Sequence, residues 1–190
     1  SDRKPDIVAI TGDLMNGYAA DSNNGLAFLE YAASIAPTFY SLGNHEWRFD
    51  AEDLLAVCKT GAIPLDNAAV QYQDINIGGL SSGFHGDRTQ GNLKNTPPPD
   101  TRWLDAFSRL KGYKLLLSHH PEYYDEYIKP LPVELTLSGH AHGGQIRLCG
   151  HGLFAPGQGV FPKYTSGMYD NRLIVSRGLA NTAKFVQIGR

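Results

Sequence analysis

The stretch Asp6-Ile7-Val8-Ala9-Ile10-Thr11-Gly12-Asp13 decides the fold, because a short apolar run there ends in a turn that carries a carboxylate. A nearly continuous aliphatic run bounded by a turn is typical of a buried parallel strand. Parallel strands need crossover connections, usually helices, so the stretch predicts a fold of alternating strands and helices. Asp13 then lies at the carboxyl end of the first predicted strand.

Three further apolar strands, predicted at 38–42, 115–117 and 135–137, are also followed by one or two small residues and then a polar side chain. The side chains that follow these ends are amide or imidazole groups: Asn44 and His45, then His119, then His140 and His142. The carboxyl ends of the strands in an open parallel sheet line one crevice, where ligands bind. We therefore expect these side chains to converge, although they are far apart in the sequence.

The segments between these strands predict helices, a meander and loops. Helical spacing or end signals predict helices at 24–36, 50–59 and 100–110. Short period-two segments from 62 to 80 predict an antiparallel meander, and the Gly- and Pro-rich stretch 143–167 predicts a loop. Together these patterns predict an α/β protein with mixed sheets, organised as a single domain over residues 1–190.

Composition excludes several classes of function. The 190 residues include 17 basic and 19 acidic side chains, a net charge of −2, so no excess of positive charge favours nucleic acid as a partner. The sequence contains no apolar run of about 18 residues that would span a membrane. Two cysteines are too few for a disulfide scaffold. Histidine is plentiful, with seven residues, and this favours a metal site.

The side chains at the strand ends form a donor set that suits particular metals. The set contains one carboxylate, one amide oxygen and several imidazoles, and it lacks a thiolate. Such ligands suit Mn²⁺, Fe or Zn²⁺, whereas Ca²⁺ prefers oxygen alone. A carboxylate that bridges two ions, together with several imidazoles, is what a two-metal hydrolytic site needs.

An ordered set of motifs resembles the calcineurin-like metallophosphoesterase superfamily: Gly12-Asp13, Gly43-Asn44-His45-Glu46, Ser118-His119-His120-Pro121 and Gly139-His140-Ala141-His142-Gly143-Gly144-Gln145. The last motif and Ile174-Val175-Ser176-Arg177-Gly178-Leu179 are similar to the bacterial branch of UDP-2,3-diacylglucosamine pyrophosphatase-like phosphodiesterases. The resemblance implies mixed sheets packed as an α/β/β/α sandwich. It also implies two divalent metal ions and phosphoester hydrolysis by a metal-bound hydroxide.

The resemblance implies a role for each matched residue. Asp13 bridges the two metals, while Asn44, His119 and His140 bind the second and His142 binds the first. His45 is implied near the scissile phosphate, where it stabilises charge or protonates the leaving oxygen. The family's His-x-Pro spacing favours His119 over His120 as the ligand, which leaves His120 behind the ligands or facing substrate. Arg48 and Arg177 are candidates for phosphate contact, since guanidinium suits bidentate contact with phosphate.

One family motif, an Asp-x-His on the opening strand, is absent from the eleven residues before Gly12. We therefore expect a domain that is N-terminally incomplete and lacks the first strand, with ligands for one full metal site and half of another. Two hypotheses follow. The chain is a metal-dependent phosphodiesterase or pyrophosphatase, or it is a non-catalytic fragment or mononuclear metal-binding module.

The expected substrate is a small phosphoester, either phospholipid-like or a nucleotide sugar, as the resemblance implies. The apolar stretch 151–162 supports two interpretations: it contacts a lipid tail or a membrane surface, or it packs over the edge of a sheet. The expected location is the cytoplasm, with peripheral association at the inner face of the cell membrane as an extension of the first interpretation.

Overall fold

The computed structural model describes residues 4–15, 19–46, 49–83, 96–148 and 151–179, with the backbone alone at 19–22, 146–148 and 151. In chain order the elements are β1 (Val8–Ile10), α1 (Ala19–Ile35), β2 (Thr38–Ser41), α2 (Ala51–Lys59), β3 (Ile63–Leu65), β4 (Ala68–Tyr72), β5 (Ile75–Leu80), α3 (Thr101–Ser108), β6 (Tyr113–Ser118), a π-helical turn (Tyr124–Ile128), β7 (Leu135–Ser138), β8 (Ile146–Leu148), β9 (His151–Ala155), β10 (Gly159–Val160), β11 (Gly167–Tyr169) and β12 (Leu173–Val175).

The predicted helices form, because their ends carry the expected signals. The side chain of Asp50 caps α2 by accepting hydrogen bonds from the backbone N–H groups of Glu52 and Asp53, and Asp53 completes a capping box. Asp100 caps α3 in the same manner. Helix α1 ends just before Pro37 as predicted, but it begins at Ala19, five residues before the predicted start at Asn24.

The strands that carry the candidate side chains are divided between two sheets. The first sheet is parallel, in the order β1-β2-β3. The second has the order β11-β12-β7-β6-β5-β4, with parallel pairing from β5 through β6 and β7 to β12 and an antiparallel strand at each edge. The predicted meander was therefore partly wrong, since β4 and β5 form a hairpin but β3 belongs to the other sheet.

Four layers result, and the predicted α/β/β/α sandwich is confirmed. Phe39, Leu65, Ile77, Leu115 and Leu117 pack between the two sheets. Helices α1 and α2 cover the outer face of the first sheet. Helix α3 and the π-helical turn cover the outer face of the second. Close packing at β5 requires glycine: a Cβ at Gly78 would lie 2.6 Å from Phe107 Cε2.

The stretch 143–167 is not the loop that its glycines and prolines predicted. It contains a small antiparallel sheet in the order β10-β9-β8, with a register shift between Ile146 and Arg147. Glycine at tight turns accounts for part of the misleading composition, since Gly157 and Gly159 have φ values of 71° and 74°. This sheet follows the His140–His142 motif directly in the chain.

None of the helices in the described parts of the chain combines the length and apolar character that crossing a bilayer requires.

Candidate metal centre

The carboxyl ends of both sheets meet at one site. Asp13 follows β1 of the first sheet, whereas His119 follows β6 of the second. The two sheets are joined here because His119 Nδ1 lies 2.6 Å from the Thr11 carbonyl oxygen, to which it donates. The backbone N–H of Gly139, after β7, donates in turn to the His119 carbonyl oxygen at 3.0 Å. Strand ends from different sheets therefore form a common site.

Three of the five predicted ligands lie together with their donor atoms facing one another. Asp13 Oδ2 is 3.0 Å from His119 Nε2, and the same nitrogen is 3.0 Å from His140 Nδ1. The ligand atoms of the three residues all lie within 4.8 Å of one another, a spacing that suits a shared cation. Because Nδ1 of His119 is engaged by the Thr11 carbonyl, its Nε2 is the nitrogen left to bind a metal.

Asn44 supplies an independent test of whether the site fits a metal. Its side-chain oxygen Oδ1 is buried and has no hydrogen-bond partner. A buried amide oxygen without a partner costs free energy, unless a cation satisfies it. Asn44 belongs to the predicted donor set of one carboxylate, one amide and imidazoles, so the residues present fit a divalent metal such as Mn²⁺ or Zn²⁺.

The backbone around the site adopts an unusual conformation. Asp13, His140 and His142 have φ values of 56°, 60° and 47°, in the left-handed region that non-glycine residues rarely adopt. Such conformations cluster at functional sites, where surrounding contacts hold them. Gly43 has no room for a side chain, since a Cβ there would overlap the Asp13 carboxylate.

His45 lies beside the group of candidate metal ligands formed by Asp13, His119 and His140, and it reaches solvent. Its backbone N–H donates to Asp13 Oδ1 at 2.8 Å, which orients the carboxylate. Its ring nitrogen Nε2 is 3.7 Å from Asp13 Oδ2, and its side chain is 31% exposed. The ring is thus close to the cluster and accessible to a substrate.

Asp13 and the neighbouring imidazoles shift one another's pKa values. Burial alone would raise the pKa of Asp13, but the neighbouring His119 holds the pKa of this carboxyl well below its usual value. Burial likewise disfavours protonated His119, yet Asp13 raises the pKa of this imidazole to about 9. Burial and the adjacent imidazoles of His120 and His119 lower the pKa of His140. This shift favours the neutral ring of His140, the form that binds metals.

Glu46 organises the backbone around Asp13, a role that the sequence motifs did not predict. Its carboxylate accepts hydrogen bonds from the backbone N–H groups of Asp13, Met15 and Gly43, and from the hydroxyl of Tyr40 at 2.6 Å. Glu46 is 2% exposed, and burial together with Asp13 raises its pKa. The position of Glu46, directly after Asn44-His45, was the signal in the sequence that this acid belongs to the site. Its burial then requires hydrogen-bond donors to satisfy the carboxylate.

We expect Glu46→Ala to destabilise the metal-free protein by about 3 kcal/mol or more, because several buried donors lose their acceptor together. Urea unfolding measures the change. Tyr40→Phe is the matched control, since it removes one hydroxyl donor from the same carboxylate and should cost only about 1 kcal/mol. A Glu46→Ala protein as stable as Tyr40→Phe would contradict this role.

The remaining predicted residues have different surroundings. His120 is buried and contacts Ser82 and Glu122 rather than Asp13. His142 is half-buried, and it joins none of the groups of three metal-binding side chains found among the described residues. Arg177 is exposed, and its aliphatic part packs beside Gly143. Arg48 lies outside the described residues. The roles given to these four residues, like those of the other candidate site residues, stay predictions.

Comparisons with known proteins point to one family. A family model described as calcineurin-like phosphoesterase matches residues 1–144. The chain is 32% identical over 146 residues to an uncharacterised metallophosphoesterase of Campylobacter jejuni, a match that covers 76% of this chain and 37% of that protein. It is 32% identical over 154 residues to phosphodiesterase YaeI of Escherichia coli, with 77% and 52% covered. An Aquifex aeolicus metallophosphoesterase is 28% identical over 181 residues, with 93% and 66% covered.

The chain thus spans between about two fifths and two thirds of the length of these three curated relatives.

Proposed function

Because the chain belongs to the calcineurin-like phosphoesterase family, we propose that it hydrolyses a phosphodiester or pyrophosphate bond with two divalent cations. The observation that carries this proposal is the group formed by Asp13, His119 and His140. The buried side-chain oxygen of Asn44, which has no hydrogen-bond partner, is a further candidate ligand. These residues supply the mixed oxygen and nitrogen donors that Mn²⁺, Fe or Zn²⁺ prefer.

Divalent ions bound here would polarise the phosphoryl group and lower the pKa of a water molecule. The chain's own residues would hold and orient these ions. The Asp13 carboxylate is fixed by the His45 backbone N–H and faces His119, so it is suited to bridge two ions. Asn44, His119 and His140 would hold the second ion, and His142 would hold the first.

His45 is proposed as the general acid. Its ring lies next to Asp13 but remains 31% exposed, so it can approach a leaving oxygen without itself being a buried ligand. Imidazole suits proton transfer near neutral pH. Arg48 and Arg177 are proposed to contact the phosphate, while His120 serves behind the ligands.

Hydrolysis of bis-p-nitrophenyl phosphate tests the proposal. The protein is first stripped of metal with a chelator and then assayed with and without Mn²⁺. We expect Mn²⁺ to restore turnover in the parent chain but not in Asp13→Asn, which keeps the shape of the side chain and loses its charge. A parent chain that binds Mn²⁺ and shows no stimulated hydrolysis would contradict the proposal.

The alternative function is a non-catalytic or mononuclear metal-binding module. It is favoured by the ligand groups found among the described residues, which leave His142 outside the Asp13 group. Elemental analysis of bound metal distinguishes the two functions. Two tightly held ions per chain with turnover would support the hydrolase, whereas one ion without turnover would support the module.

An apolar hairpin beside the site supports an amphiphilic substrate, such as a phospholipid-like ester or a nucleotide sugar with acyl chains. Gly157, in the turn between β9 and β10, packs against the carboxylate of Glu122, which is 3.8 Å from His140. Val160 and Phe161 follow this turn and are 68% and 78% exposed. Exposed apolar side chains at the edge of a polar site are suited to contact an acyl chain or a membrane surface.

We expect Phe161→Ser to raise KM about tenfold for a long-chain phosphodiester, since losing burial of one aromatic side chain costs about 1.5 kcal/mol. Hydrolysis of bis-p-nitrophenyl phosphate should not change. Met168→Ser is the control, because Met168 is 61% exposed but lies on β11. Equal effects on both substrates would argue against an acyl contact at Phe161.

The proposed location follows from the same hairpin. The relatives described above are bacterial proteins, and we extend a bacterial origin to this chain. An apolar rim next to the site would let the protein work at the inner face of the cell membrane by peripheral contact.

Nucleic acid is not proposed as a partner, since the net charge of −2 provides no excess of positive charge to neutralise phosphates.

A further inference from the structure

Glu122 lies behind His140, on the side of the ring that faces away from Asp13. The ring nitrogen that points toward the metal-binding group is Nδ1, at 3.0 Å from His119 Nε2. The opposite nitrogen, Nε2, is 3.8 Å from Glu122 Oε1. The two nitrogens of His140 therefore face different partners, a proposed metal ion on one side and a carboxylate on the other.

The chemistry of imidazole makes the second partner important. A neutral histidine that binds a metal through Nδ1 carries its proton on Nε2, and this proton needs an acceptor. The side chain of His140 is only 9% exposed, so solvent cannot serve freely as that acceptor. Within the part of the chain that the structure describes, Glu122 is the carboxylate within ion-pair distance of this nitrogen, at 3.8 Å.

Glu122 is itself held in place by several contacts. Its Oε1 accepts a hydrogen bond from the Thr96 hydroxyl at 2.5 Å and lies 3.1 Å from His120 Nδ1. The turn at Gly157 closes over it, where a Cβ would lie 2.6 Å from Glu122 Cδ. The side chain of Glu122 is 15% exposed. The carboxylate thus has little freedom to move away from His140.

His120 connects this carboxylate to a strand end of the second sheet. A carboxylate can only accept, so His120 donates through Nδ1, and its Nε2 accepts from the hydroxyl of Ser82 at 2.8 Å. Serine, histidine and glutamate in this order resemble a nucleophile triad. Ser82 is 5% exposed and His120 is 1% exposed, however, so both side chains are buried and present little surface to a substrate. We therefore consider His120 as a residue that holds the Glu122 carboxylate in place.

We propose that Glu122 is a positioning residue that orients His140 for metal binding, and that Thr96 and His120 fix Glu122 for this purpose. The inference rests on the proposed function in one respect, namely that His140 binds a metal ion. Carboxylates that accept from the outer nitrogen of a metal-binding histidine commonly set its tautomer and ring orientation.

Glu122→Gln tests the inference, because glutamine keeps the shape of the side chain and removes its charge. We expect Mn²⁺ affinity, measured by competition with a chelator, to weaken about 10- to 100-fold, with the number of ions bound at saturation unchanged. We also expect the visible absorption bands of the Co²⁺-loaded protein to shift. Glu126→Gln is the matched control, since Glu126 is an exposed glutamate on the π-helical turn that follows Glu122 and should leave affinity and spectrum unchanged.

Three results would overturn the inference. Unchanged affinity and spectrum in Glu122→Gln would show that His140 needs no such partner. The loss of one ion per chain at saturation would show that Glu122 is itself a ligand. A fall in the stability of the metal-free protein with normal affinity in the folded fraction would show a merely structural role.

Thr96→Val provides a second, milder variant in case Glu122→Gln does not fold. It removes the hydroxyl that donates to Glu122 Oε1, and we expect affinity to fall roughly two- to tenfold. Unchanged affinity in this variant would count against the inference. A parent chain that binds no metal would contradict the proposed function instead, so the two failures are distinguishable.

Discussion

His140→Ala is expected to remove bound metal and hydrolytic activity together. The imidazole of His140 is one of three donor groups that face one another at the site, and the methyl group of alanine offers no ligand atom. Replacing a residue that only orients a ligand costs about 10- to 100-fold in metal affinity. We therefore expect the loss of a ligand itself to weaken Mn²⁺ binding by more than about 100-fold.

Isothermal titration calorimetry with Mn²⁺ and hydrolysis of bis-p-nitrophenyl phosphate measure the two losses in parallel. Circular dichroism of the metal-free variant establishes that it is folded. Lys59→Ala, in the last turn of α2, is the control and should leave both quantities unchanged. A folded His140→Ala protein that binds Mn²⁺ with parental affinity would contradict the assignment of His140 as a ligand.

His45→Ala is expected to have the opposite signature, with metal retained and the rate lowered. The side chain of His45 is partly exposed and is separated from Asp13 Oδ2 by 3.7 Å, whereas its backbone N–H, which alanine keeps, orients Asp13. Loss of a general acid typically costs about 10²- to 10⁴-fold in rate. The metal content should remain that of the parent chain.

The choice of leaving group makes this experiment specific. p-Nitrophenolate departs readily without protonation, whereas an alkoxide needs a proton from the enzyme. We expect His45→Ala to slow an alkyl phosphodiester more than bis-p-nitrophenyl phosphate. Equal rate losses for both substrates would argue for charge stabilisation rather than proton donation, and loss of metal would show that His45 serves as a ligand.

The choice between His119 and His120 as the candidate ligand illustrates what a local sequence pattern can and cannot predict. Both follow the same predicted strand, and the His-x-Pro spacing favoured His119 only through the resemblance. In the structure His119 Nδ1 contacts the Thr11 carbonyl, 108 positions earlier in the chain, while His120 points to Ser82 and Glu122. No local signal reports which of two adjacent imidazoles meets a strand from the other sheet.

The strands at 143–167 show a different limit. Glycine and proline are typical of turns, and their density there predicted a loop, yet three short strands form between the turns. The register shift between Ile146 and Arg147 breaks the regular alternation that would have indicated a strand. The predicted meander failed for a related reason, since β3 pairs with β2 rather than with its neighbour in sequence.

The sequence by itself determined the donor groups and their positions at strand ends. Apolar runs that stop at a small turn residue encode strand ends locally: Asp13, Asn44 and His140 follow glycine, and His119 follows Ser118. Tertiary structure decided which donors meet, because Asp13 and His119 belong to different sheets whose packing rests on residues such as Phe39 and Leu117. Burial also decided the roles of Glu46 and Glu122, since a carboxylate positions its neighbours only where desolvation makes each hydrogen bond necessary.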